Sequence, residues 1–479
     1  MNMVTQGIEP EAVLVFFEEI SAIPRGSGNE KGIADYLVKF AEKRGLPVYR
    51  DAVHNVFIRK PASKGSEEKP ALLLQGHTDI VCEKNEDVIH DFLKDPIQLT
   101  IDGDWLHARG TTLGADNGIA VAYMLAALDD HELVHPALEC LFTVQEEIGL
   151  CGAKAFDASI ITAKNMINLD CGPEGVSTVS CAGGMCIEME KAFPLIPFSG
   201  AALKISVHGL MGGHSGGEIH RYRGNSNKIM ARILYKLGKG VSLISFNGGS
   251  KHNAIPRECV AVVAVPCAEA ARKCIEKTAV AIMDELGEDD KNFRVTVEEI
   301  TRPSMMGAQE QSWQVISLMF VAPNGVLAMS HEMEDLVDAS VNMGVVTTIG
   351  STLHITFAPR ASRESLNDDT EEKLRLLADM FGFKMETSSR YFSWPYSKES
   401  PLRNMVAAVY HEMTGEAMEL QATHGGLECG ILLSKVPGLD IVAIGPTAKG
   451  AHSPEERLNL PSVNRVWLFL REIIRRLAA

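Results

Sequence analysis

The stretch ALLLQGHTDI, Ala71 to Ile80, is a short unbroken apolar run that ends in histidine and aspartate. A run of that length suits a strand buried on both faces, as in a parallel sheet covered by helices. Downstream, ALECLFTVQ and NMINLD read the same way. Between the first two runs, the Gly-rich turn GTTLGADNG opens into IAVAYMLAALDD, a helix. Upstream, PEAVLVFFEEISAIPR has helical apolar spacing. Ser27 and Glu30 read as a capping box for a helix over NEKGIADYLVKFAEKRG. Strands alternating with helices predict an α/β domain with a mostly parallel central sheet flanked by helices. In such sheets chemistry gathers at the carboxyl ends of the strands.

At 479 residues the chain is too long for one ordinary core. The texture changes near FPLIPFSG. Beyond it come ALKISVHGL, a Gly-rich loop, the helix NSNKIMARILYKLGKG and the strand ECVAVVAVP. TLHITFAPR and the helix DDTEEKLRLLADMFG follow in a similar order. The first texture then returns in LRNMVAAVYHEMTG, DIVAIGP and VNRVWLFLREIIRRLAA. The expectation is one catalytic domain, 1–186 plus 388–479, interrupted by an inserted α/β lid domain, 187–387, of two related halves.

A net charge of −16 disfavours nucleic acid and acidic membrane as partners. No apolar run approaches a bilayer span. The N-terminal stretch lacks the basic region of a secretory signal. The ten cysteines form no CxxC pair, and several sit in apolar runs such as LECLF. Reduced thiols and a cytoplasmic location are the expectation.

Four acidic or histidine clusters each follow a predicted strand or turn. His77 offers an imidazole, with Asp79 placed to hold its second nitrogen. Asp116 in GADNG has two oxygens and can bridge two cations. Glu146 and Glu147 end LFTVQEE, and Asp170 ends NMINLD. Adjacent carboxylates repel and need cations or a shared proton. Two metals about 3.5–4 Å apart need a bridging carboxylate and terminal His, Asp and Glu ligands, which this set supplies.

GHTD, GADNG, QEEIG and NLD in this order, with GAHSPEERL late in the chain, resemble the M20 family of co-catalytic zinc peptidases and deacylases. HGGLECG and the large middle segment resemble its aminoacyl-histidine dipeptidase branch. The resemblance implies two divalent metal ions per chain, zinc by family, with manganese or cobalt also suited to these donors. It assigns one ion to His77 and Asp170 and the other to Glu147 and His452, with Asp116 bridging. Glu146 becomes the general base, and Asp79 orients His77. His214, in GLMGGHSGGEIH, becomes the donor to the tetrahedral oxyanion. Asn253 in KHNAIPRE, Arg363 in APRASRES and Gly426 become substrate contacts.

His131-Glu132-Leu133-Val134-His135 also satisfies the HExxH pattern. Pro136 disfavours helical geometry at His135, so a surface connection is expected there. The function expected is hydrolysis of small unblocked peptides, dipeptides with an Xaa-His preference. The alternatives are an N-acyl amino acid deacylase, a broader aminopeptidase, or a non-catalytic zinc-binding homologue. Oligomeric state is left open, a homodimer included.

Overall fold

The computed structural model describes residues 3–479. They form two compact units, one of residues 3–180, Tyr396–Ala422 and Leu427–Ala479, the other of Cys181–Pro395 and Thr423–Gly426. The strands Gly183–Ala192 and Lys384–Tyr391 pair with each other. The second unit therefore begins and ends a few residues outside the expected 187 and 387.

The first unit is built on an eight-stranded sheet. Its order is Val48–Arg50, Val56–Lys60, Leu138–Thr143, Leu72–His77, Asn165–Asn168, Asp440–Ala443, Val176–Cys181 and Glu419–Thr423. The middle four strands are parallel. Val48–Arg50, Val56–Lys60 and Val176–Cys181 join antiparallel. Leu72, Leu73 and Leu74 are wholly buried, as expected of a strand covered on both faces. Helix Ala115–Asp129 is buried almost all round, and Glu11–Ser21 packs against it. The C-terminal helix Leu460–Ala478 closes the same core, where Trp467 stacks on Tyr123. Asn459 and Ser400 cap the helices that follow them, contacts worth about 1 kcal/mol each.

The expected capping box at Ser27 and Glu30 does not form. Glu30 occupies the N-cap of helix Lys31–Lys43 without a side-chain cap bond. Ser27 Oγ instead donates to Asp79, and Glu30 Oε1 accepts from the amides of Gly28 and Gln145. Tertiary partners outcompete the local cap.

The second unit is a nine-stranded antiparallel sheet with helices Ser226–Leu237, Ala268–Glu285, Gln309–Val321 and Glu364–Phe381. Burial alternates along strands such as Thr352–Ala361, so one face packs into the core and the other does not. A block of four strands and a block of five meet where Gly248 pairs with Val346. None of the ten cysteines, all among the described residues, is in a disulfide. No helix among the described residues is long and apolar enough to cross a membrane.

Candidate metal centre

The parallel strands of the first unit deliver the candidate ligands at their carboxyl ends. His77 is the last residue of its strand, Glu146 and Glu147 follow Leu138–Thr143, and Asp170 follows Asn165–Asn168. Asp116 lies in a non-helical kink at the start of Ala115–Asp129. His452 projects from the loop between Ala448–Lys449 and Arg457–Asn459, with a left-handed backbone (φ 63°).

These residues meet around Asp116. Its Oδ1 lies 3.1 Å from His77 Nε2, and its Oδ2 lies 3.2 Å from His452 Nε2. His77 Nε2 is also 3.8 Å from Asp170 Oδ1, and His452 Nε2 is 3.0 Å from Glu147 Oε1. Each carboxylate oxygen of Asp116 thus faces a separate histidine–carboxylate pair. Ligand atoms of His77, Asp116 and Asp170 lie within 4.8 Å of one another, as do those of Asp116, Glu147 and His452. Glu146 joins a third such group with His77 and Glu147.

The electrostatics call for positive charge. Burial raises the pKa of Asp170 well above the usual range, despite the opposing pull of His77. Burial pushes Glu146 up to about 8, and its neighbours Glu428, Glu147 and Asp116 add to the shift. Burial alone would lower His77, but Asp170, Asp116 and Asp79 hold it well above 6.5. Hydrogen bonding to Asp116 and then Glu147 raises His452 to about 10. Carboxylates crowded around imidazoles in this way suit divalent cations, and the oxygen-rich, cysteine-free donor set fits a catalytic rather than a structural site.

A model of peptidase family M20/M25/M40 matches residues 73–476. The chain belongs to that family. It is 37% identical to the cytosol non-specific dipeptidase of Escherichia coli (strain K12), over 98% of this chain and 99% of that protein. The crystal structure of aminoacylhistidine dipeptidase from Vibrio alginolyticus superposes with a TM-score of 0.91 at 35% identity, covering 99% of this chain and 98% of that one. The aminopeptidase PepT structure from Bacillus cereus ATCC 10987 shares the fold, with a TM-score of 0.56 at 16% identity.

Asp79 does more than the sequence suggested. His77 Nδ1 is nearest the Asp79 carbonyl at 3.0 Å, with the carboxylate at 3.4 Å. The carboxylate also accepts from Ser27 Oγ and from the amides of Glu146 and Glu147. The carboxylate thus touches the His77 ring and the backbone of the acidic pair together. Asn117 donates to Asp170 Oδ1 at 2.9 Å and so fixes that carboxylate.

Beneath the ligands lies a fully buried polar layer that sequence reasoning did not find. Gln75, Thr143 and Asn168 each sit two or three residues before a candidate ligand or base. Glu428 Oε2 accepts from Gln75 and Thr143, and Gln75 accepts from Asn168. Burial raises Glu428 to about 7. The available signal was an acid inside the otherwise apolar LECGILL.

HExxH forms no helix. His131–His135 is a connection in which Asp130 Oδ1 accepts from the amides of Glu132 and Leu133, and His135 is buried against Pro136.

Within the second unit, His214 pairs in register with Ala254, and Asn253 O accepts from Ser215 N, so those two loops are joined. A Cβ on Gly216 would lie 3.0 Å from His214 Cε1 and 3.3 Å from Arg360 Cζ, which places that guanidinium beside His214. Arg360 also donates to the Tyr391 hydroxyl at 2.9 Å, and Gly426 packs on the Tyr391 ring. Arg363 is not in this cluster. It sits at the N-cap of Glu364–Phe381, half exposed, with Glu332 Oε2 3.6 Å away. The strand Thr352–Ala361 carries Arg360 to the cluster and ends before Arg363. His424 completes the group, with Nε2 2.7 Å from Ser340 Oγ.

Proposed function

We propose that this member of the family hydrolyses unblocked dipeptides in the cytosol, with two divalent metal ions, zinc by preference, and Glu146 as general base. The observation that supports it most is Asp116, whose two oxygens serve two separate histidine–carboxylate pairs. His77 and Asp170 would hold one ion, His452 and Glu147 the other, and Asp116 both. Bound ions of this kind supply Lewis acidity and can lower a water's pKa from about 15.7 to about 7.

Glu146 is then the group that takes a proton from the attacking water. As the carbon–nitrogen bond breaks, it returns that proton to the leaving amine. Burial keeps its proton affinity high, and neighbouring positive charge lowers it toward the range in which a base works at neutral pH. Asp79 keeps the Glu146 backbone and the His77 ring in place. His214, Asn253 and Gly426 are proposed as substrate contacts. The forked guanidinium of Arg360 suits a free carboxylate better than the half-exposed Arg363 does.

The dipeptide class is supported by the names of the Escherichia coli and Vibrio alginolyticus relatives, which agree on dipeptides and differ on histidine. The test is a panel of Xaa-His dipeptides, other dipeptides, a tripeptide and an N-acetyl amino acid, each offered to protein loaded with zinc, manganese or cobalt. Turnover confined to dipeptides supports the proposal, and a faster rate on Xaa-His narrows it. Turnover of only the acylated or longer substrates overturns the substrate class. No turnover with any metal favours a non-catalytic metal-binding protein.

A further inference from the structure

The loop that presents Asp116 is held by two charged residues outside the ligand set. Arg25 is 2% exposed and lies in the N-terminal segment IPRGSGNE. Its two terminal nitrogens donate to different loops, NH1 to Thr78 O at 2.9 Å and NH2 to Gly114 O at 2.7 Å. One guanidinium thus ties the residue after His77 to the residue two before Asp116. From the other side comes Glu456, also 2% exposed, four residues after His452. Its Oε2 accepts from the amides of Leu113 and Gly114, both at 2.8 Å, and its Oε1 accepts from the amide of Asp116 at 3.1 Å. Gly114 is therefore gripped at its N–H by Glu456 and at its carbonyl by Arg25.

The glycines of GADNG have a physical explanation in this clamp. Gly114 has φ 72°, and a Cβ there would lie 2.9 Å from Arg25 NH2. A Cβ on Gly118 would lie 2.4 Å from the same nitrogen and 3.2 Å from Cζ. Burial lowers Arg25 to about 10, with Glu456 the largest opposing influence, so it remains a cation at neutral pH. The planar fork presents a separate nitrogen to each loop, whereas an ammonium would have to bring both carbonyls to one nitrogen.

We propose that Arg25 and Glu456 are positioning residues of the metal centre, which together fix the loop presenting Asp116 and thereby set the affinity for both ions at once. The inference rests on reading Asp116 as the shared ligand.

The test is competition of Zn²⁺ and Mn²⁺ binding against a chelator, with thermal unfolding of the metal-free protein recorded alongside. Wild type is compared with Arg25→Lys, Glu456→Gln, Gly118→Ala and, as a one-ion control, Glu147→Gln. Gly118→Ala is the variant chosen to remain folded, because alanine suits a helix better than glycine and leaves every charged group in place. Its methyl group would meet the guanidinium first and the Phe17 ring, 3.3 Å away, second. The clamp predicts that Arg25→Lys, Glu456→Gln and Gly118→Ala each weaken both ions in parallel, by about 10–100-fold, while Glu147→Gln weakens one more than the other. Gly118→Ala should do so while the metal-free form still unfolds in one cooperative transition. Wild-type affinity in folded Gly118→Ala and Glu456→Gln would overturn the clamp and leave the centre standing. A wild type that binds no pair of ions would overturn both.

Discussion

The two units carry opposite electrostatics. In the first, carboxylates outnumber imidazoles; neighbouring carboxylates raise His77 and His452 against the effect of burial, and burial raises Glu146 and Asp170. In the second, imidazoles gather around an arginine. Burial and then Arg360 lower His214, His252 and His424, the last to about 3. One cluster asks for cations, and the other stays neutral beside a fixed guanidinium and can receive an anion. Residues of similar type thus take opposite roles according to what surrounds them.

The sharpest way to break the contrast is Asp116→Asn, which removes the carboxylate whose two oxygens face His77 and His452. Both ions should be lost on dialysis and activity should fall to that of metal-stripped protein, read by metal analysis and turnover on one sample. Retention of both ions would show that Asp116 is not shared. Arg360→Lys tests the other side. Loss of the forked donor should raise KM by about 10–100-fold while leaving metal content unchanged. An unchanged KM would remove Arg360 from the substrate.

A smaller effect concerns stability. Folded His424 stays neutral down to about pH 3, whereas an unfolded histidine takes up its proton near 6.5. Between those values the unfolded state binds more protons, so stability falls as pH drops. His424→Gln should flatten that slope, sparing about 1 kcal/mol of the loss between about pH 7.5 and 5.5, as measured by denaturant unfolding. Identical slopes would refute the assignment. Smallest of all is Glu132→Ala in the HExxH decoy, which should alter turnover less than about twofold and stability by less than about 0.5 kcal/mol. A large loss there would revive the zincin reading.

Much of this was legible in the sequence where one residue type had one reading. The apolar run at Leu72–Leu74 suited a buried strand, and its end marked the place of His77. Asp116, Glu147 and Asp170 stood out as ligand types at strand or turn ends, and His452 was named through the family resemblance of GAHSPEERL. The supporting residues were hidden because their partners lie far along the chain. Ser27 and Glu30 satisfied a local helix-cap pattern, yet their hydrogen bonds run to Asp79 and Gln145. Glu456 stood beside a ligand motif, but nothing local reveals that it binds amides 340 and more residues earlier. Arg360 and Arg363 share one short motif, and only the end of strand Thr352–Ala361 separates them. Buried charges inside motifs were the overlooked signal.

The most direct test of the account is Glu146→Gln, with bound metal and kcat measured on the same purified protein. The account predicts two ions still bound and kcat reduced by about 10²–10⁴-fold, with KM little changed. Wild-type turnover, or a loss of activity that merely follows loss of metal, would contradict it.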